Sequence, residues 1–231
     1  MNELETIYGF MNEDNDWVKR VVVIGAGGFG RECGEVCKRQ ELHDRNIKFI
    51  GYLDEDTSLR GKEFNGDPVL GGLEGNIFKN DLYFVVGIGD PTLRKELTIK
   101  AMKIGYKPIT IIDPTANIMT GVKIGVGVVI LPNCQLAINS TIGNHTHLNY
   151  SVIVGHDAII EEYVTLSPAS NIMGNCTIKK NAYLGLNCSI LQGLTIGENS
   201  VIGASAVVLK DIEPYTVNVG IPSKVVKRLE K

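Results

Sequence analysis

From Ile112 onward a bulky aliphatic residue recurs at every sixth position, through Ile118, Ile124, Ile130, Leu136, Ile142, Leu148, Val154, Ile160, Leu166, Ile172, Ile178, Leu184, Ile190, Ile196 and Ile202 to Val208. This period matches neither the 3.6 residues of a helical turn nor the simple alternation of a long strand. It suits short strands joined by tight corners, each turning its aliphatic residue inward. Four residues after each aliphatic stands a mostly small one, among them Ala116, Cys134, Ser140, Ala158, Ser170, Cys176, Ala182, Cys188 and Ala206, which reads as a second inward position with less room. Three faces make one coil of eighteen residues, and stacked coils pair their strands in parallel at about 4.8 Å. Residues 112–213 are therefore predicted to form a parallel β-helix of about five to six coils, roughly 27 Å long. Gly125, Gly143, Gly155, Gly185, Gly197 and Gly203 directly follow the aliphatic and are read as giving the corners backbone freedom. Pro214 interrupts the rhythm, and residues 214–231, with VGIPSKVVKRLEK, read as a cap leading into a short basic helix or tail.

Residues 20–111 follow another pattern. RVVVIG reads as a buried strand, GAGGFG as a turn, RECGEVCKRQ as a helix, IKFIGYLD and LYFVVGIG as further strands, PTLRKELTIKAMKIG as a second helix, and KPITII as the strand entering the repeat. Such alternation predicts an α/β domain built on a parallel sheet. Gly25, Gly27 and Gly30 form a GxGxxG between strand and helix, where glycines let backbone approach a phosphate at a helix N-terminus, and Asp54 ends the next strand, where a ribose-binding acid is expected. Fewer than a hundred residues supply little more than one mononucleotide-binding half, so the expected ligand is a single nucleotide and not NAD. Residues 1–19, Trp17 among them, form an N-terminal extension outside both patterns.

Composition narrows the classes of partner. The 231 residues are 44% hydrophobic and 21% charged with a net charge of −3, an ordinary balance for a soluble protein and no global reason to bind nucleic acid. No segment approaches the run of about eighteen apolar residues that a membrane span needs, and the N-terminal stretch is acidic where a signal peptide is basic and then apolar. The five cysteines are odd in number and Cys33 and Cys37 stand four apart, which fits free thiols and a cytoplasmic location. Cys134, Cys176 and Cys188 hold the small inward position and read as core filler.

Five features together carry a family resemblance: IGAGGFG, FVVGIGDPTLRKEL, the hexad array, the GHD at 155–157, and VGIPSK. From residue 20 to about 225 the chain resembles the bacterial sugar acyltransferases that join a Rossmann-like nucleotide-sugar-binding domain to a left-handed β-helix. That group acetylates UDP- or GDP-linked amino sugars. The resemblance implies a homotrimer, with acetyl-CoA in the groove between neighbouring prisms, an amino-sugar acceptor reaching in from the first domain, and no metal. It assigns the general base to His156 and the residue that orients it to Asp157, an Asp where some relatives carry Glu. The thioester oxygen falls to the backbone N–H of Gly174. Further acetyl-CoA contacts fall on Leu186, Ala204 and Thr165, the last where some relatives have a histidine. The nucleotide-sugar contacts fall on Gly27, Gly28, Phe29, Asp54, Glu55 and Gly89.

The repeat itself supports part of this, because residues eighteen apart stack on successive coils, so that His156 is expected between Ile138 and Gly174. A glycine beside the imidazole leaves space for a pantetheine arm, and an imidazole titrating near neutrality suits removal of a proton from an attacking amine. Both substrates can bind together, so direct attack in a ternary complex is expected, without a covalent enzyme intermediate. Two alternatives stand beside this reading: O-acetylation of a sugar of the sialic acid type, in which the same histidine would deprotonate a hydroxyl, and a non-catalytic trimeric sensor of nucleotide sugars. His145 and His147 form an HxH pair like those of the trimeric zinc carbonic anhydrases of the same fold, yet a nucleotide-binding domain has no use in such an enzyme.

Overall fold

A computed structural model describes residues 18–74 and 82–230. The N-terminal extension, with Trp17, lies outside the described residues apart from positions 18 and 19. The chain divides into two compact units, one running to Ile88 and including Leu97–Ile111, the other combining Gly89–Glu96 with Ile112–Lys231.

Before the repeat, β1 (Lys19–Ile24) is followed by α1 (Gly28–Glu41), β2 (Ile47–Leu53), a 3-10 turn (Thr57–Leu59), β3 (Glu63–Phe64), β4 (Asp67–Gly71), β5 (Leu82–Val86), α2 (Pro91–Ile104), whose residues to Glu96 belong to the second unit, and β6 (Lys107–Pro108). The sheet order is β3-β4-β2-β1-β5-β6, parallel except for the β3–β4 hairpin. β1 is central and its residues 21–24 are buried, which explains why RVVVI is a continuous apolar run without alternation. The sequence reading missed β3 and β4. The signal for them is Asn65-Gly66, whose φ values of 54° and 85° close the hairpin in the way that Asn-Gly turns favour. KPITII is not one strand: Lys107–Pro108 pairs with β5, whereas Ile111–Ile112 opens the repeat. Pro108 carries no N–H to continue a ladder.

In the second unit, seventeen two-residue strands, from Ile111–Ile112 to Val207–Val208, recur at six-residue steps and sort every third strand onto the same sheet. The first face contains His147, Thr165 and Tyr183, the second Ile153, Asn171 and Ser189, and the third Ile159, Thr177 and Thr195, each set at eighteen-residue register. The interior is a continuous column of the aliphatic and small positions, including Leu136, Val154, Ile172 and Ile190 with Cys134, Ala158, Cys176 and Cys188, nearly all without solvent exposure.

The corners correct one expectation. Left-handed backbone falls on the residue three places after the aliphatic, as at Asn139, Asp157, Tyr163, Asn175 and Gly193, and not on the glycines directly after it. Those glycines serve close approach between coils. A Cβ on Gly155 would lie 2.5 Å from the Gly174 nitrogen, one on Gly143 2.5 Å from the Glu161 carbonyl carbon, and one on Gly185 2.7 Å from the Ala204 nitrogen. The C-terminal segment is also corrected. In place of a basic helix, Thr216–Val219 extends the first-face sheet and Lys224–Arg228 pairs antiparallel beside it. The β-branched pair Val225-Val226 favours an extended chain, and Lys224, Lys227 and Arg228 place charge on an exposed sheet edge.

Candidate active site

His156 stands at the corner between the second and third faces, where Val154 has turned inward and Asp157 takes the left-handed conformation with φ 55°. That backbone geometry lets adjacent residues face each other: His156 Nδ1 lies 2.8 Å from Asp157 Oδ2. A carboxylate only accepts, so Nδ1 carries the proton and Nε2 presents its lone pair. Asp157 is held below the usual carboxylate range, first by the hydrogen bond from His156 and then by one that Asn139 Nδ2 donates at 3.3 Å. Gly174 lies one coil further on. A Cβ there would fall on the ring, 2.6 Å from Cε1 and 2.8 Å from Cδ2 of His156, so only glycine admits the imidazole in this position. At the equivalent corner position elsewhere, side chains capture the backbone N–H: Asn144 takes that of Val126, Asn149 that of Tyr150 and Glu161 that of Lys180. Among the described residues no side chain accepts from the Gly174 N–H, which leaves this amide suited to a developing oxyanion.

The residues expected to hold acetyl-CoA are not on one edge of the prism. Leu186 and Ala204 stack eighteen residues apart at the corner between the first and second faces, with Leu186 half exposed, whereas His156 and Gly174 line the next edge. Thr165 is on the first face and buried. Its hydroxyl donates to the Gly89 carbonyl at 2.7 Å and accepts from Arg94 Nη1 at 3.0 Å.

Arg94, absent from the sequence-read site, organises that region. Fully buried on the first turn of α2, it donates from Nη2 to the carbonyls of Tyr163 at 2.7 Å and Val164 at 3.2 Å, and from Nη1 to that of Gly89 at 3.2 Å. Its Nη1 also lies 3.2 Å from Nδ1 of the buried His147. His145 stacks on Tyr163 with ring centroids 5.0 Å apart, and burial together with the Arg94 charge pushes its pKa down to about 4. Both histidines of the HxH pair are thus packed into the fold, and among the described residues no group of three His, Cys, Asp or Glu gathers to hold a metal. Arg94 had no local signal, because in PTLRKEL it reads as one cation on a solvated helix face.

In the first unit the glycine-rich turn combines one left-handed glycine, one close approach and an open tip. Gly25 has φ 101°, a Cβ on Gly30 would collide with the backbone of Gly25, and Gly27 and Gly28 face open space. Gly27 caps α1 without a side-chain hydrogen bond and the first turn holds no acid, so the positive end of the helix dipole meets no negative side chain there. Asp54 accepts from the Ala26 N–H at 2.8 Å and the Asp56 N–H at 2.9 Å, bracing the loop from below. Glu55 accepts from the Leu73 N–H at 3.3 Å and pairs with Lys100. Phe29 is partly exposed on the first turn of α1.

A cleft of about 630 Å³ lies along the remaining edge of the prism and includes Lys180, Asn181, Glu198 and Tyr215. It contains none of the expected site residues. Its polar groups are largely satisfied by one another, Lys180 with Glu198 at 3.4 Å and Asn181 with Asn199 at 3.1 Å.

Residues 20–101 match the family profile of the PglD N-terminal domain. Over 175 residues the chain is 32% identical to the GDP-perosamine N-acetyltransferase of Escherichia coli O157:H7, an alignment covering 74% of this chain and 78% of that one. The chain belongs to the nucleotide-sugar N-acetyltransferase family. Two solved acetyltransferase structures align with most of the chain. A perosamine N-acetyltransferase from Caulobacter crescentus, a histidine-to-asparagine variant in complex with CoA and GDP-perosamine, aligns with a TM-score of 0.82 at 27% identity over 90% of this chain and 96% of its own. The acetyltransferase domain of PglB from Neisseria gonorrhoeae, in complex with acetyl coenzyme A, aligns with a TM-score of 0.82 at 25% identity over 90% of this chain and all of its own. The prism is accordingly the left-handed β-helix of this family.

Proposed function

We propose that the protein transfers the acetyl group of acetyl-CoA to the amino group of a GDP-linked amino sugar, with His156 as general base. The observation that carries this reading is the His156–Asp157 hydrogen bond of 2.8 Å, which directs the free imidazole nitrogen over Gly174. The neutral amine attacks the thioester carbon and forms the carbon–nitrogen bond as negative charge collects on the carbonyl oxygen beside the Gly174 amide. Nε2 of His156 accepts the proton that the nitrogen loses and returns it to the departing sulfur, so that CoA leaves as the thiol and the imidazole is regenerated. The glycine-rich turn at Gly27, Gly28 and Phe29, braced by Asp54 through the Ala26 N–H, is read as the seat of the diphosphate. The choice of guanine nucleotide follows the relatives named for, or bound to, GDP-perosamine.

We further read the protein as a homotrimer. Leu186 and Ala204 line one edge of the prism while His156 and Gly174 line another, so one protomer assembles only half of the cofactor groove along each edge. A second copy beside the first completes it. Exposed Ile138, Ile153, Met173 and Leu191 along that edge and face support burial against a neighbour. Five free, buried cysteines fit a reducing cytoplasm.

The test is CoA thiol release with GDP-perosamine, a UDP-linked amino sugar and a sialic acid as acceptors, combined with light scattering for the oligomeric mass. Turnover on the GDP-linked amine by a particle of three chains is expected. Binding without thiol release would leave the protein a sensor, and turnover on the sialic acid alone would make it an O-acetyltransferase.

A further inference from the structure

We infer that Asn139 is a positioning residue for the transfer reaction: its side-chain amide fixes the Asp157 carboxylate in the orientation that aims His156. The inference rests on the reading of His156 as general base. Asn139 precedes Asp157 by one coil, with the flanking strands in register, Gln135 to Ile153 and Leu136 to Val154. Its Nδ2 donates to Asp157 Oδ1 at 3.3 Å, while His156 Nδ1 takes Oδ2 at 2.8 Å. The two carboxylate oxygens are thus divided between two donors. With only the histidine attached, the carboxylate is free to turn about its last torsion and to swing the ring with it; a donor on the second oxygen fixes its plane.

Asn139 is itself held. Its φ is 59°, its N–H donates to the Thr120 carbonyl at 3.2 Å, and its amide oxygen occupies the space that a Cβ on Gly121 would fill. With the oxygen against Gly121, the NH2 group faces Asp157, the orientation in which the amide donates to a carboxylate. A bare glycine therefore closes the column at each end, Gly121 beneath the amide and Gly174 beside the imidazole. Left-handed backbone favours asparagine wherever it occurs, and Asn175 and Asn187 stand at the same place in other coils. What sets Asn139 apart is the carboxylate its side chain holds.

That distinction defines the experiment. Asn139→Gly keeps the left-handed corner at no conformational cost and removes only the amide, while Asn139→Asp keeps the shape and replaces the donor with a negative charge. Both are assayed in the full-length protein beside His156→Ala. For Asn139→Gly, kcat is expected to fall about three- to tenfold, the scale of one ordinary hydrogen bond, with both KM values within about twofold and the melting temperature not lowered. For Asn139→Asp, the acid limb of kcat/KM should move to higher pH, because a second carboxylate beside Asp157 favours the imidazolium. The corner residues on the adjoining coils are Ile138 and Asn139 before the pair and Gly174 and Asn175 after it, none of them titratable, so the shift reports the introduced charge. An unshifted profile for Asn139→Asp, or parental kcat for Asn139→Gly, overturns the role of Asn139 while a crippled His156→Ala leaves the base in place. A His156→Ala variant as fast as the parent overturns both.

Discussion

The imidazole of His156 occupies the space that any side chain at position 174 would need, with Cε1 2.6 Å and Cδ2 2.8 Å from the site of a Cβ on Gly174. Imidazole and amide are therefore neighbours because the coil repeats at eighteen residues and because residue 174 has no side chain. Gly174→Ala tests this directly. The backbone of Gly174 is not among the left-handed positions, so alanine is tolerated by the chain, and the half-exposed ring is free to swing outward. Unfolding temperature should change little, while kcat falls by roughly 10²-fold as the base leaves the thioester path. Steady-state kinetics and a thermal melt on the same preparation check both halves.

Asp157 fixes which nitrogen of His156 carries the proton. Asparagine accepts the left-handed φ of 55° without strain, so Asp157→Asn preserves the corner while removing the obligate acceptor. Its amide can offer NH2 to Nδ1 and drive the proton onto Nε2, the tautomer unable to take a proton from the amine. A loss of roughly 10²-fold or more in kcat with nearly unchanged acetyl-CoA affinity is expected, measured by thiol release and by calorimetric titration of CoA. Loss of affinity instead, with kcat intact, would place Asp157 in the cofactor site and not behind the base.

The hexad made the prism legible from sequence, because each aliphatic has one inward slot and its stacking partner is fixed eighteen residues away. It also made the His156–Gly174 contact legible. What the repeat did not disclose was the division of labour at its corners, since the glycine after the aliphatic alone drew the reading of a turn residue. The close approach at Gly155 and the left-handed backbone at Asp157 separate only when the neighbouring coil is in place. Arg94 was illegible for a related reason. Its partners at Tyr163, Val164 and Thr165 lie about seventy positions away, and nothing in its local pattern distinguishes a buried guanidinium from a solvated one.

Burial of Arg94 makes its removal costly in a predictable way. Its guanidinium satisfies the carbonyls of Gly89, Tyr163 and Val164, all within the second unit. Arg94→Met conserves much of the volume but removes the hydrogen bonds the guanidinium donates, while Gly89 keeps the Thr165 hydroxyl and Val164 keeps the His147 N–H, and a loss of about 1–3 kcal/mol is expected, visible as an earlier denaturant midpoint. Arg94→Lys should recover part of it, because an ammonium reaches fewer carbonyls than a planar fork. Equal stability of the Met variant and the parent would show the network to be dispensable.

His145 gives the prism a pH dependence separate from catalysis. An unfolded chain protonates this histidine below its ordinary 6.5, whereas the folded protein, with the ring stacked on Tyr163, buried and near Arg94, resists protonation until about 4. Between those values the unfolded state binds more protons, so stability decreases as pH falls through that window, by on the order of 3 kcal/mol from this group if it alone is counted. Above pH 6.5 both states hold a neutral ring and the contribution is flat. His145→Asn keeps a residue suited to the left-handed φ of 56° and removes the titration. Denaturant midpoints measured from pH 7.5 to 4.5 should therefore decline more gently in the Asn variant than in the parent, even though loss of the Tyr163 stack makes the variant less stable at pH 7.5. Parallel declines in the two proteins would assign the acid sensitivity to other groups.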